Sequence, residues 1–155
     1  MRAAILLLAS GLYLGYFPVA SGTVGSLAGI PLFFAFDRLR LVSVPFYLLA
    51  FAVLVLVACW VSGKADAILQ EHDSHKIVID EIAGYVGATL FLEPTWTHVG
   101  LAFLLFRVFD ILKPFPAGYI DQHFPGGYGV TLDDVVAGFY ANLVLRVADA
   151  TGLTA

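Results

Sequence analysis

The stretch LVSVPFYLLAFAVLVLVACWVSG, residues 41–63, runs for 23 residues without an Asp, Glu, Lys or Arg. As a helix it would extend about 34 Å at 1.5 Å per residue, enough to cross a hydrocarbon core of ~30 Å. The rest of the chain has the same character. Of its 155 residues 60% are hydrophobic and 13% charged, with a mean hydropathy of +0.89. A soluble domain carries about 25% charged residues, so this chain has about half the usual supply for covering a surface. That argues against a soluble monomer, and against disorder, which needs low hydrophobicity and high charge. Eight Lys and Arg against twelve Asp and Glu leave a net charge of −4; with no basic stripe, a nucleic-acid partner is excluded. The single cysteine, Cys59, permits neither a disulfide framework nor a Cys-based zinc site. The length suits one domain covering 1–155.

Outward from 41–63, a further uncharged stretch runs from Ala3 to Phe36, broken by Gly11, Gly15, Pro18, Gly22, Gly25 and Gly29. It reads as a short apolar helix over 3–14, a Gly/Pro loop over 15–22 and a helix over 23–36. Arg2 is the only charge before it and no polar mature domain follows, which argues against a cleaved signal peptide. A turn is expected at Asp37-Arg38-Leu39-Arg40, then a helix from 41 to about 68. Beyond it the pattern gives helices over 77–92, 95–112 and 132–149, separated by Glu93-Pro94 and a Pro- and Gly-rich loop from Pro114 to Gly129. Each of these three would be a marginal span of about 24–27 Å. The expected fold is therefore all-α, a compact multi-helix membrane bundle. Alternating the helices places 15–25, 64–81 and 107–134 on one face. Leaving out Arg2, Lys64, Lys76, Arg107 and Lys113 lie there, against Arg38, Arg40 and Arg146 opposite, so the positive-inside rule favours a cytoplasmic first face by only four to three.

Five carboxylates gather on that first face: Asp80 and Glu81 opening one helix, Asp110 near the end of the next, Asp133 and Asp134 opening the last. Any one pair is explained by capping, because Asp at a helix start satisfies free N–H groups and suits the dipole. Three occurrences converging on one side point instead to a divalent-metal site, with hard oxygens suited to Mg2+ or Mn2+. Arg107, Asp110 and Lys113 recur every three residues and share one helix face before Pro114, giving two cationic donors beside a carboxylate, as a dianionic phosphate needs. The competing reading is that the cations neutralise the acids or snorkel to headgroups. Ser21-Gly-Thr-Val-Gly-Ser26 precedes an apolar helix. Gly22, Thr23 and Ser26 there could cradle an anion at a helix start, or the glycines could serve packing. Gly126-Gly-Tyr-Gly129 reads as a turn or as a flexible edge of the site. His72 and His75 flank Asp73 in a polar linker and read as solvated, His98 as interfacial or structural, and His123, in the loop with the cations, as solvated or able to assist proton transfer.

In this order the motifs resemble the phosphatidylglycerophosphatase A family. The matching segments are Ser-Gly-Thr-Val-Gly-Ser (21–26), Ile-Val-Ile-Asp-Glu-Ile-Ala-Gly (77–84), Arg-Val-Phe-Asp-Ile-Leu-Lys-Pro-Phe-Pro (107–116) with Asp121, and Gly-Gly-Tyr-Gly-Val-Thr-Leu-Asp-Asp-Val-Val-Ala-Gly (126–138). The chain departs from the pattern at Ser21, where a proline is expected, without loss of a candidate ligand. The resemblance implies a multi-pass enzyme of the bacterial inner membrane that removes the terminal phosphate of phosphatidylglycerophosphate, with Mg2+, to leave phosphatidylglycerol.

On that expectation Asp80, Glu81, Asp110, Asp133 and Asp134 hold one or two Mg2+, while Arg107, Lys113, Gly22, Thr23, Ser26 and Asp121 contact the substrate. Asp134 accepts the proton of the attacking water. Attack by Asp110 itself, forming an aspartyl-phosphate, stays open beside it. So does a different class of function, a small cation transporter or channel lined by the same acids, or a structural membrane subunit. Metal count and oligomeric state stay open as well.

Overall fold

A computed structural model of the chain describes residues 2–71 and 74–154. Every regular element among them is helical: α1 (Arg2–Ala9), α2 (Ser21–Val42), α3 (Val44–Leu69), α4 (Ile79–Ala88), α5 (Trp96–Leu112), α6 (Ala117–His123) and α7 (Gly127–Ala150), with a 3-10 turn at Leu14–Tyr16. The all-α bundle expected from the apolar pattern is the fold observed.

The uncharged 41–63 run forms most of α3. Tyr47, Phe51, Ala58, Val61 and Ala65 face inward at helical spacing, while Phe46, Leu49, Leu56 and Trp60 are exposed. Among the described residues α3 is the one helix long and apolar enough to cross a membrane on length and composition. Its start differs from the expected position. A turn is expected at Asp37 and Arg40, yet they lie three residues apart and pair at 2.6 Å, which satisfies their charge on one helix face. Helix α2 therefore continues to Val42. The break falls at Ser43, where the backbone is extended and the hydroxyl accepts from the Phe46 N–H, capping α3 ahead of a proline at its first turn.

At the centre lies α4, packed by α2, α3, α5 and α7 and buried at every residue except Glu81. A helix over 77–92 was expected. The observed one has 10 residues, about 15 Å, too short to cross a bilayer. It stops inside the bundle because side chains from α7 and α3 take over its backbone hydrogen bonds. Asn142 Nδ2 donates to the carbonyls of Ala88 and Leu90, both at 2.9 Å, and Arg146 Nη2 to that of Leu90 at 2.9 Å. The Phe91 N–H donates to the Tyr47 hydroxyl at 2.8 Å. Irregular backbone is tolerated inside a bundle when protein groups satisfy it in this way.

Three further boundaries differ. Helix α1 ends at Ala9 instead of 14, since Gly11, Leu12 and Tyr13 all take positive φ. Helix α2 starts at Ser21 instead of 23, so Ser21 and Gly22 are helical and not loop. The region 114–129 contains α6, and α7 begins at Gly127 instead of 132. Gly127 is required there: a Cβ would collide with the Cys59 carbonyl and the Gly63 backbone of α3.

Candidate active site

The site begins with a contact between two helix backbones. A Cβ on Gly138 of α7 would overlap the Gly84 carbonyl of α4, and one on Gly84 would lie 2.8 Å from the Asp134 carbonyl. Only because both are glycine can α7 approach α4 this closely, which brings Asp134 beside the first turn of α4. Asp80, Glu81 and Asp134 each offer a carboxylate oxygen, and the three oxygens lie within 4.8 Å of one another. Asp80 and Asp134 are buried. Asp80 Oδ1 accepts a hydrogen bond from the Glu81 N–H at 3.0 Å, while Glu81 Oε2 is buried without a donor. Burial first, then the neighbouring Asp80 and Asp110, push the Glu81 carboxyl well above its ordinary range. Three close acidic groups, one with an unsatisfied buried oxygen, fit a hard divalent cation.

Asp133 and Asp134 do not open their helix. They lie in its second turn, six and seven residues past Gly127, so capping accounts for neither. Asp80 and Glu81 do occupy the first turn of α4.

Beside the carboxylates a cleft of about 440 Å3 is lined by Phe17, Pro18, Ser21, Gly22, His75, Glu81, Arg107 and Asp110. Arg107 Nη1 donates to Asp110 Oδ2 at 2.6 Å. Gly22 abuts both sides of the site: a Cβ there would collide with Glu81 Oε1 and stand 3.2 Å from Arg107 Nη1. The N-terminus of α2 thus meets a cation and a carboxylate in one cleft, with first-turn N–H groups that no preceding helical carbonyl satisfies.

The expected Arg107, Asp110 and Lys113 arc divides in two. Arg107 and Asp110 line the cleft. Lys113 ends α5 at φ 43°, and its ammonium bridges Asp121 at 3.0 Å and Asp133 at 2.6 Å. Burial works against the Lys113 charge, but the two carboxylates hold its pKa above the ordinary lysine value. Lys113, Asp121 and Asp133 therefore form an ion triad joining α5, α6 and α7 and do not line the cleft. Of the five expected metal ligands, three converge, Asp110 pairs with Arg107 and Asp133 with Lys113.

From the 21–26 segment, Gly22 reaches the cleft. Thr23 is partly buried and not among the lining residues, and the buried Ser26 hydroxyl donates to the Gly22 carbonyl at 2.8 Å. Ser21, where the family pattern has a proline, has a structural use. Its hydroxyl donates to the His75 carbonyl at 2.6 Å, fastening α2 to the segment that leads into α4. Nothing local in the sequence links positions 54 apart, nor marks Phe17 and Pro18 as cleft walls. His72 and Asp73 lie outside the described residues. The exposed His123 hydrogen-bonds the Tyr119 carbonyl within α6. His98 pairs with Asp149 at 2.9 Å.

Residues 7–149 match the family model described as Phosphatidylglycerophosphatase A. A Phosphatidylglycerophosphatase A of Haemophilus influenzae is 39% identical over 142 residues, covering 91% of this chain and 86% of its own length. Its namesake in Escherichia coli is 35% identical over 136 residues, covering 85% and 76%. A Bacteroides thetaiotaomicron protein provisionally named a phosphatidylinositol-3-phosphatase is 33% identical over 153 residues, with 92% of each chain covered. No solved structure matches the chain.

Proposed function

Because the chain belongs to the phosphatidylglycerophosphatase A family, we propose that it hydrolyses the terminal phosphate monoester of phosphatidylglycerophosphate, with Mg2+, to phosphatidylglycerol and phosphate. The observation that carries the reading is the convergence of Asp80, Glu81 and Asp134 next to a cleft that holds Arg107. Those three carboxylates would hold the cation. When bound, it supplies Lewis-acid polarisation of a phosphoryl oxygen and activation of water.

The chain's own groups do the rest. Arg107 grips non-bridging phosphate oxygens, and the positive end of α2 faces the same anion. Asp110 lines the cleft, where it accepts the proton of the attacking water. The role expected of Asp134 is assigned here to Asp110, because Asp134 is buried among the carboxylates that would hold the cation. A new P–O bond forms from water as the bond to the terminal glycerol oxygen breaks, and that oxygen takes up a proton. The apolar side chains exposed along α3 and at Leu104, Ile111, Leu143 and Val147 support a seat in the bilayer, here placed in the bacterial inner membrane with more than one segment in lipid.

The test is phosphate release by the purified protein in detergent, with and without Mg2+. Release from phosphatidylglycerophosphate that ceases on chelation is the expected result; none in either condition would overturn the reading. Phosphatidylinositol 3-phosphate in the same assay decides whether the headgroup named for the Bacteroides relative is also accepted.

A further inference from the structure

The cleft has one wall unlike the others. Residues 11–20 are apolar and mostly outside any α-helix, yet Leu12 is 71%, Phe17 56% and Val19 70% exposed. Phe17 and Pro18 line the cleft itself. The segment is built, not loose. Gly11, Leu12 and Tyr13 hold consecutive positive φ values of 54°, 59° and 73°, a conformation costing of order 1 kcal/mol for each non-glycine residue. It is held by Leu12 N to the Leu7 carbonyl at 2.9 Å, Gly15 N to the Ser10 carbonyl at 2.9 Å and Tyr13 N to Ser10 Oγ at 3.1 Å. A Cβ at Gly15 would overlap the Lys76 carbonyl, so the segment also rests on the strand of chain leading into α4. The Lys76 ammonium sits 5.8 Å from the centre of the Tyr16 ring, within cation–π range.

Non-helical backbone exposed to hydrocarbon is not tolerated, whereas at the headgroup level water and lipid esters satisfy it and apolar side chains reach down into the acyl region. Tyr and Lys side by side suit that same level. We propose that residues 11–20 form the lipid-facing lip of the cleft, with Phe17 seating the acylated end of the substrate and so conferring a preference for long-chain over short-chain phosphomonoesters. Polar groups at Gly22 and Arg107 then take the phosphate while the lip takes the chains, as an amphiphilic substrate requires. The inference rests on the phosphatase reading above.

Two measurements test it. The first is kcat/KM for dioleoyl and for dihexanoyl phosphatidylglycerophosphate in mixed micelles. In Phe17→Ser the long-to-short ratio should fall at least about tenfold, the scale of one lost buried aromatic contact, and in Phe17→Leu it should recover. A ratio unchanged in Phe17→Ser would overturn the proposal. The second needs no catalysis and decides if Phe17→Ser fails to fold. A nitroxide on Val19→Cys, with Cys59→Ala, in vesicles of phosphatidylethanolamine and phosphatidylglycerol should be relaxed by oxygen and shielded from a water-soluble nickel chelate. Free access to the chelate would remove the lip from lipid. If the unmodified protein releases phosphate from neither substrate, the phosphatase reading fails and the chain-length preference with it, while the nitroxide still reports where the lip lies.

Discussion

Replacing Asp80 by asparagine keeps an oxygen for the Glu81 N–H that it accepts at 3.0 Å and removes the charge that a hard cation needs. Asp80→Asn and Asp134→Asn should therefore each lose at least ~100-fold in kcat/KM for phosphate release, the scale of a lost electrostatic contact. Mg2+ should raise the thermal midpoint of the unmodified protein and no longer raise that of either variant. Near-normal rates with the Mg2+ response intact would exclude these acids from metal binding. Lys113 calls for a different experiment, because its ammonium is engaged by Asp133 and Asp121. Lys113→Ala strands Asp133, which is only 3% exposed, and an unsatisfied buried acceptor costs about 1–3 kcal/mol. Denaturant unfolding should show that loss, and Lys113→Ala combined with Asp133→Asn should recover part of it. A stable Lys113→Ala with lowered kcat/KM, unrelieved by Asp133→Asn, would make Lys113 a substrate ligand instead.

At the scale of elements, the start of α2 supplies a test that separates stability from chemistry. Gly22 is the second residue of α2, where the helical backbone accepts alanine as readily as glycine. Its missing Cβ leaves the space taken by Glu81 and Arg107. Gly22→Ala should accordingly keep or raise the thermal midpoint while kcat/KM falls at least about tenfold through displacement of those two side chains. Equal activity with equal stability would mean that the two side chains have room to yield. Element boundaries also mark where sequence patterning misleads. The charges at 37–40 resembled a turn but pair inside a helix, and the stretch 77–92 resembled a span, yet its helix ends at Ala88 because Asn142 and Arg146, more than 50 residues away, donate hydrogen bonds to the carbonyls of Ala88 and Leu90.

For the whole molecule, 15–25, 74–81, 107–113 and 133–134 do meet at one end of the bundle, while Glu93, His98, Arg146 and Asp149 line a cavity of about 600 Å3 elsewhere. If the cleft faces the cytoplasm, a cysteine at the exposed Gln122 of α6 should resist a membrane-impermeant maleimide applied to intact cells and react after permeabilisation. One at the exposed Glu93 should react from outside. The opposite pattern would invert the orientation.

The helical class, the apolar run at 41–63 and the identity of the polar residues were legible because they depend on composition and on a period of 3.6 residues, which are local properties of the chain. The division of labour among those polar residues was not. Asp134 joins Asp80 and Glu81 only because Gly84 and Gly138 let two backbones touch, and Asp133, its immediate neighbour, turns instead to Lys113. Adjacent positions on a helix point about 100° apart, so one residue of difference sends a carboxylate to a different partner. Spacing places both acids on α7; the packing of helices around α4 decides what each of them meets.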